Sequence, residues 1–212
     1  TTEECLLSPG RNPSLSKAEI EEKLRQQKAA VLKKRRELER IERKIDHRLD
    51  WLSDAQSVPL DTVSLIRTPA CRIVWMDDAM RIDGALDMEA PIRRLDRSDA
   101  EAVVFLGKVG LGISAEHLVE GKTRRYDGIF LMLDNEDIYN EDTMTLPEMQ
   151  CVRLRFCGSH TEAPEHYDRL LEYIADHRLR ISGFSREITL IDYGVTNDPE
   201  KFVTEICIPV SE

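Results

Sequence analysis

Residues 150–210 read QCVRLRFCGSHTEAPEHYDRLLEYIADHRLRISGFSREITLIDYGVTNDPEKFVTEICIPV, and their pattern decides the fold. Apolar residues alternate over Gln150–Cys157, which predicts a strand, and then recur at helical spacing over Ala163–Leu179 through Tyr167, Leu170, Leu171 and Ile174. Ile181–Tyr193 and Lys201–Val210 are strand-like and are separated by the turn residues Asn197, Asp198 and Pro199. The order is strand, helix, strand, strand. Inside the apolar run of Phe184–Tyr193 stands an acidic residue, Glu187. An ionisable group in a strand that seeks burial costs stability unless something pairs with it, so Glu187 is a candidate counter-ion for a cationic guest. The ordinary alternative is that it faces water.

The upstream half gives the same order. Thr62–Met76 is strand-like, Met88–Arg97 predicts a short helix, and Glu101–Ser114 and Tyr126–Leu133 read as two more strands. Two such copies, at about 62–134 and 149–211, imply a pseudo-twofold α+β domain over 62–212, with helices on one side of its sheets and a cleft between the copies. Period-two alternation sets Glu187, Thr189, Ile191 and Tyr193 on one face and Ile188 and Leu190 on the other. The second set is assigned to the helix-covered core and the first to the cleft.

Ahead of this domain the pattern is helical. Residues 1–15 carry Pro9, Gly10 and Pro13 and read as a loop. Ser16 and Glu19 form a capping box that opens a helix over 16–54. Leu24, Val31, Leu38, Ile45 and Leu52 recur every seven residues, with Ile41 and Leu49 widening the stripe, as in a coiled-coil seam. Gln27, Lys34 and Arg48 occupy companion positions, so an antiparallel pairing or packing on another domain suits this stripe better than a parallel one. The expected role is dimerisation or docking, because a long charged helix with an apolar stripe is poorly stable alone. A linker at 55–61, punctuated by Pro59, follows.

Charge and composition exclude several classes. The formal net charge is −10, and residues 16–52 carry 12 Lys or Arg against 8 Asp or Glu, so the rest of the chain holds −14. Such a domain repels nucleic acid and attracts cations. Apolar runs are far shorter than about 18 residues, and no membrane partner is expected. Five cysteines without a C-x-x-C pair read as reduced, small apolar residues, consistent with a cytoplasmic setting. His160 and His166, near Glu162 and Glu165, lack metal-site spacing. No metal or cofactor is expected. Asp134, Glu136, Asp137, Glu141 and Asp142 lack the ligand order of a calcium loop and read as a solvated connector. Gly107, Gly110 and Gly112 lack the Lys and Ser or Thr of a phosphate loop, which leaves bulges or close sheet packing. No G-x-S-x-G or serine, histidine and acid arrangement points to a hydrolase triad. Thr1 opens the chain without a signal-peptide pattern, and the expectation is a cytosolic fragment with a module missing upstream.

The runs LPEMQCVRLRFCGSH and EHYDRLLEYIADHRLRISGFSREITLIDYGVTNDPEKFVTEICIPV resemble the gyrase-inhibitor-like (GyrI-like, SHS2-type) ligand-binding domain. The long charged helix before them resembles the dimerisation helix of MerR-type multidrug-responsive transcription regulators. That resemblance implies a pocket for lipophilic cations in which a strand glutamate, falling on Glu187, answers the charge. Its stacking surface would come from aromatic rings, for which Tyr193, Tyr126, Trp75, Phe105, Phe130 and Phe202 are the candidates. It also implies a homodimer through Leu24, Val31, Leu38, Ile41, Ile45 and Leu52, and promoter DNA as partner through a winged helix-turn-helix absent from this chain. A desolvated carboxylate among rings favours a large, weakly hydrated cation over a small hydrated one. Glu205 reads as structural. Two alternatives stand beside the sensor: a hydrolase of electrophilic small molecules using Glu187 as base with Tyr193 or Tyr126, and a protein-binding module that inhibits a topoisomerase.

Overall fold

The computed structural model of the protein describes residues 16–80, 109–134, 142–192 and 195–212. Met88–Arg97, Phe105, Gly107 and Tyr193 lie outside the described residues. The chain divides into two units, residues 1–45 and 46–212.

Helix α1 runs over Lys17–Ser57. Its start is the capping box read from sequence: Ser16 N–H donates to Glu19 Oε2 at 2.7 Å, and Glu19 N–H to Ser16 Oγ at 3.3 Å. Pairs four residues apart, such as Lys33–Glu37 and Arg35–Glu39, lace its charged surface. In the first unit Leu24, Val31, Leu38 and Ile45 are all exposed, Leu38 at 65%. Ile41 is half-buried.

The second unit is α+β, as the sequence pattern implies. Its strands are β1 (Ser64–Thr68), β2 (Cys71–Met80), β3 (Val109–Gly112), β4 (Tyr126–Leu133), β5 (Met144–Leu146), β6 (Met149–Cys157), β7 (Arg180–Ile181), β8 (Arg186–Ile191) and β9 (Val203–Ser211). Helices α2 (Ala115–Val119) and α3 (Ala163–Asp176) lie between them. The expected Thr62–Met76 strand is two strands, Glu101–Ser114 is a strand over its described part only at Val109–Gly112, and α2 was not read from sequence. The connector after Asp134 contains β5, which pairs with β2 through Cys71–Leu146.

All pairings are antiparallel, and eight strands follow the order β1-β6-β9-β8-β3-β4-β2-β5, with β7 on β9. This order is symmetric about the β8–β3 seam. Each half runs first strand, third strand, second strand outward to inward, β6-β9-β8 on one side and β2-β4-β3 on the other. The flanking strands are exchanged: β1, which precedes β2, pairs with β6, while β5, which precedes β6, pairs with β2. The seam is short, with Leu111 opposite Glu187.

Two apolar layers cover the sheet. On one face Tyr167, Leu170 and Ile174 of α3 pack with Leu111, Ile129, Leu154 and Ile206. On the other, Trp51, Leu52 and Ala55 from the end of α1 pack with Ile73, Phe130, Ile188 and Leu190. The α1 end is fixed by a buried guanidinium. Arg155, 3% exposed, donates to Asp54 O at 2.6 Å, to the Asp54 carboxylate, and through Nε to Glu205 Oε2 at 2.6 Å. Glu205 thus has the structural role expected of it, and Leu52 is a packing residue at this end of α1.

Glycines on β3 and β4 let rings lie flat on the sheet. A Cβ at Gly128 would sit 2.4 Å from Trp75 Cζ2 and 2.8 Å from Met76 O, and one at Gly110 would sit 2.4 Å from Phe130 Cζ. Close sheet packing therefore explains Gly110 and Gly112. Gly128→Ala must displace the Trp75 ring or the β2 backbone and is expected to cost about 1–3 kcal/mol, read as a lowered midpoint in urea unfolding. An unchanged midpoint would mean that Trp75 has another place to go.

Candidate functional site

β8 is apolar except for Arg186, Glu187 and Thr189, and all six of its residues are buried. Glu187 is 0% exposed. Alternation gives it the face of Leu111 and Ile206, its cross-strand neighbours on β3 and β9. That is the α3-covered face, so the assignment made from sequence is corrected. Ile188 and Leu190 instead face the end of α1, and a register shift between Thr189 and Ile191 turns Ile191 to their side as well.

Three elements converge on the carboxylate. Tyr126, the first residue of β4, donates its hydroxyl to Glu187 Oε1 at 2.8 Å and Oε2 at 2.9 Å. Burial first, and the Glu187 charge second, push the Tyr126 phenol far above its ordinary range, so it stays protonated as a donor. His160, in the segment between β6 and α3, places Nδ1 2.6 Å from Glu187 Oε1. Its Nε2 lies 3.3 Å from Thr189 Oγ1, which is 3.0 Å from Thr204 Oγ1, and Thr204 donates to Gly158 O at 2.7 Å.

That chain of hydroxyls fixes proton positions. Thr204 spends its hydrogen on Gly158 O and accepts from Thr189, so Thr189 accepts from His160 Nε2–H. Both ring nitrogens lie within hydrogen-bond distance of side-chain oxygens, Nδ1 of the Glu187 carboxyl and Nε2 of the Thr189 hydroxyl. Gly158, at φ +139, opens the His160 segment in a conformation that favours glycine. Glu162 closes it by accepting from Ser159 N–H at 2.8 Å and from Ser159 Oγ.

Tyr167 of α3 stands behind the site. Burial first, then the Glu187 charge, push its phenol well up, and its hydroxyl lies 2.9 Å from Ser185 Oγ. Ser185 Oγ accepts from Ile113 N–H at 2.9 Å and so bridges β8 to the end of β3. Arg125 and Pro164, neighbours of the site in sequence, line a cavity of about 770 Å³ with His117, Lys122, Arg124 and Asp168. Its basic wall does not suit a cation, and Glu187 is not among its lining residues.

Of the aromatic candidates, Tyr126 meets Glu187. Trp75 and Phe130 stack with each other in the layer under the α1 end, with Phe184 4.6 Å from Trp75, and are not gathered around the carboxylate. Phe202 is buried, and its carbonyl accepts from Gly158 N–H. Tyr193 and Phe105 lie outside the described residues. Sequence reasoning treated His160 only as a failed metal ligand and missed its pairing. The available signal was an imidazole two residues after Gly158 in a polar segment, next to strands already carrying a carboxylate. Among the described residues no cluster of His, Cys, Asp and Glu has metal-site geometry.

The model for the GyrI-like small molecule binding domain matches residues 80–211, more than half of the chain. The chain belongs to the GyrI-like family. The fold is similar to that in the cryo-EM structure of the EcmrR–DNA complex, at 17% identity and a TM-score of 0.59. That match covers 89% of this chain and 71% of EcmrR. A hydrolase from Listeria innocua is similar at 14% identity and a TM-score of 0.45, over 75% of this chain and 96% of that one. A Vibrio parahaemolyticus protein named as an agmatine deiminase is 84% identical over 25 residues only, 12% of this chain and 7% of its own length.

Removing one donor from the GyrI-like site should expose the cost of its buried charge. Tyr126→Phe is expected to destabilise the fold by about 1–3 kcal/mol in denaturant unfolding. The loss should shrink when Glu187→Gln is already present, because the two groups share one interaction. Additive losses would mean that the phenol acts through packing alone.

Proposed function

We propose that this GyrI-like chain is the ligand-sensing and dimerisation region of a MerR-type transcription regulator, binding lipophilic, cationic small molecules. The observation that carries the reading is the Glu187 carboxyl group, buried in β8 and met at Oε1 by the His160 ring of the chain itself. A desolvated carboxylate whose outer oxygen is covered only by a ring nitrogen offers that oxygen to an organic cation. His160 is the outermost of the three groups, its side chain 11% exposed against 0% for Glu187. A guest that swings His160 outward on the Gly158 hinge takes over Oε1, while Tyr126 remains to orient the carboxylate. Large, weakly hydrated cations gain most, since they lose least on leaving water.

Relay to a DNA-binding domain follows from which strands are shared. β8 carries Glu187 on one face and Ile188 on the other, and Ile188 pairs with Glu205, the partner of Arg155 and through it of Asp54 on α1. A guest whose affinity differs between two arrangements of β8 and β9 biases the seat of α1. The parent protein would bind promoter DNA through a domain upstream of this chain.

Calorimetric titration with tetraphenylphosphonium and with neutral triphenylphosphine oxide tests the reading. Glu187→Gln should weaken the cation by tenfold or more, about 1–3 kcal/mol, and the neutral compound much less. Equal losses would sink the counter-ion role. A second reading, hydrolysis of electrophilic small molecules, is favoured by the Tyr126–Glu187 hydrogen bond, which sets a phenolic donor beside a carboxylate base. Turnover of an epoxide that disappears in both Glu187→Gln and Tyr126→Phe would establish it in place of the sensor.

The exposed stripe Leu24, Val31, Leu38 and Ile45 supports the dimerisation half of the proposal. Sedimentation analysis should give a dimer at micromolar concentration, and Leu38→Glu with Ile45→Lys a monomer. A monomeric parent would remove the dimerising role from α1.

A further inference from the structure

Arg186 precedes Glu187 in β8 and therefore faces the opposite side of the sheet. Its residue is 7% exposed. Nη2 donates to Thr68 Oγ1 at 3.0 Å and to Cys151 Sγ at 3.5 Å, and Nη1 to Cys71 Sγ at 3.6 Å. Nε–H has no partner among the described residues. The cross-strand neighbour of Arg186 is Cys207, whose thiol is pushed well up, by burial first and by Glu205 second, and so faces the guanidinium uncharged.

Arg155 shows what a buried guanidinium receives elsewhere on this same face: two carboxylates, from Asp54 and Glu205, and a carbonyl. Arg186 receives one hydroxyl and two sulfurs, which are weak acceptors. Its charge is left without an anion among the described residues, and an uncompensated buried charge is among the costliest features a fold can keep. Beside it lies a cavity of about 330 Å³, lined by Arg186 with Leu146, Met149, Gly183, Phe184 and Pro209. Pro147 and Ser182 complete the lining, which is apolar apart from Ser182 and Arg186, and Arg186 is its one charged residue. The Nη2 hydrogens are taken by Thr68 and Cys151, so Nε–H is the guanidinium donor left without an acceptor among the described residues.

We propose that Arg186 anchors a second ligand site, on the face opposite Glu187, for a small amphipathic carboxylate whose head pairs with the guanidinium and whose alkyl or aryl body fills this cavity. Such a ligand supplies the missing anion and buries its apolar part in one step. The site does not depend on what occupies Glu187.

Calorimetry of the whole chain with octanoate and with octanamide, its neutral match, provides the test. Octanoate should bind saturably, and octanamide at least tenfold more weakly. Arg186→Gln should weaken octanoate at least tenfold and leave octanamide unchanged. Gly183→Leu plugs the cavity while leaving the arginine in place, and a Cβ at Gly183 meets only Pro209, at 3.4 and 3.6 Å, so this variant should fold and lose both compounds. No saturable octanoate binding by the parent, or equal affinities for the two compounds, would overturn the site. If Arg186→Gln does not fold, undiminished octanoate binding by Gly183→Leu would overturn it in the same way.

Discussion

The arrangement of this protein turns on one carboxylate kept out of water. Glu187 is tolerated inside β8 because a phenol from the other half of the sheet and an imidazole from the segment before α3 meet it there. Those partners come from residues 61 and 27 positions away, so the contact closes only when both halves are paired and α3 is seated. A polar network with such distant members contributes specificity as well as energy, since a slipped register at the β3–β8 seam would leave each member buried and unsatisfied.

The sheet has two faces with different work. The α3 face seals the charge among Tyr126, Tyr167 and the Thr189–Thr204 pair. The opposite face carries a row of basic residues, Arg153, Arg155 and Arg186, on alternating or neighbouring strand positions, and uses Asp54 of α1 to neutralise part of it. β8 and β9 contribute side chains to both faces.

Much of this was legible along the chain. The capping box, the heptad stripe, the amphipathic α3 and the strands β4, β6 and β9 follow from periodicity and local chemistry, which depend on neighbours a few residues away. Period two told correctly that Glu187 and Ile188 part company, yet it carries no information about which helix lies over which face, and that assignment came out reversed. The single strand expected at Thr62–Met76 divides because its two parts join different halves. Tyr126 was within reach as an aromatic candidate. His160 left a weaker signal, its place two residues after Gly158 in a polar segment, because its partner is set by the fold of that segment and not by any spacing along the chain.

The exchanged outer strands set where this molecule can be cut. A fragment starting at residue 80, where the family match begins, would lack β1 and all but the last residue of β2. β6 and β4 would each lose a ladder partner, and their bare N–H and C=O groups would become templates for pairing between molecules. Trp75 would leave with β2, and the glycines that make room for it would face an unfilled slot. The smallest soluble version of this domain is therefore bounded by sheet topology, some fifteen residues upstream of the point at which sequence kinship becomes recognisable.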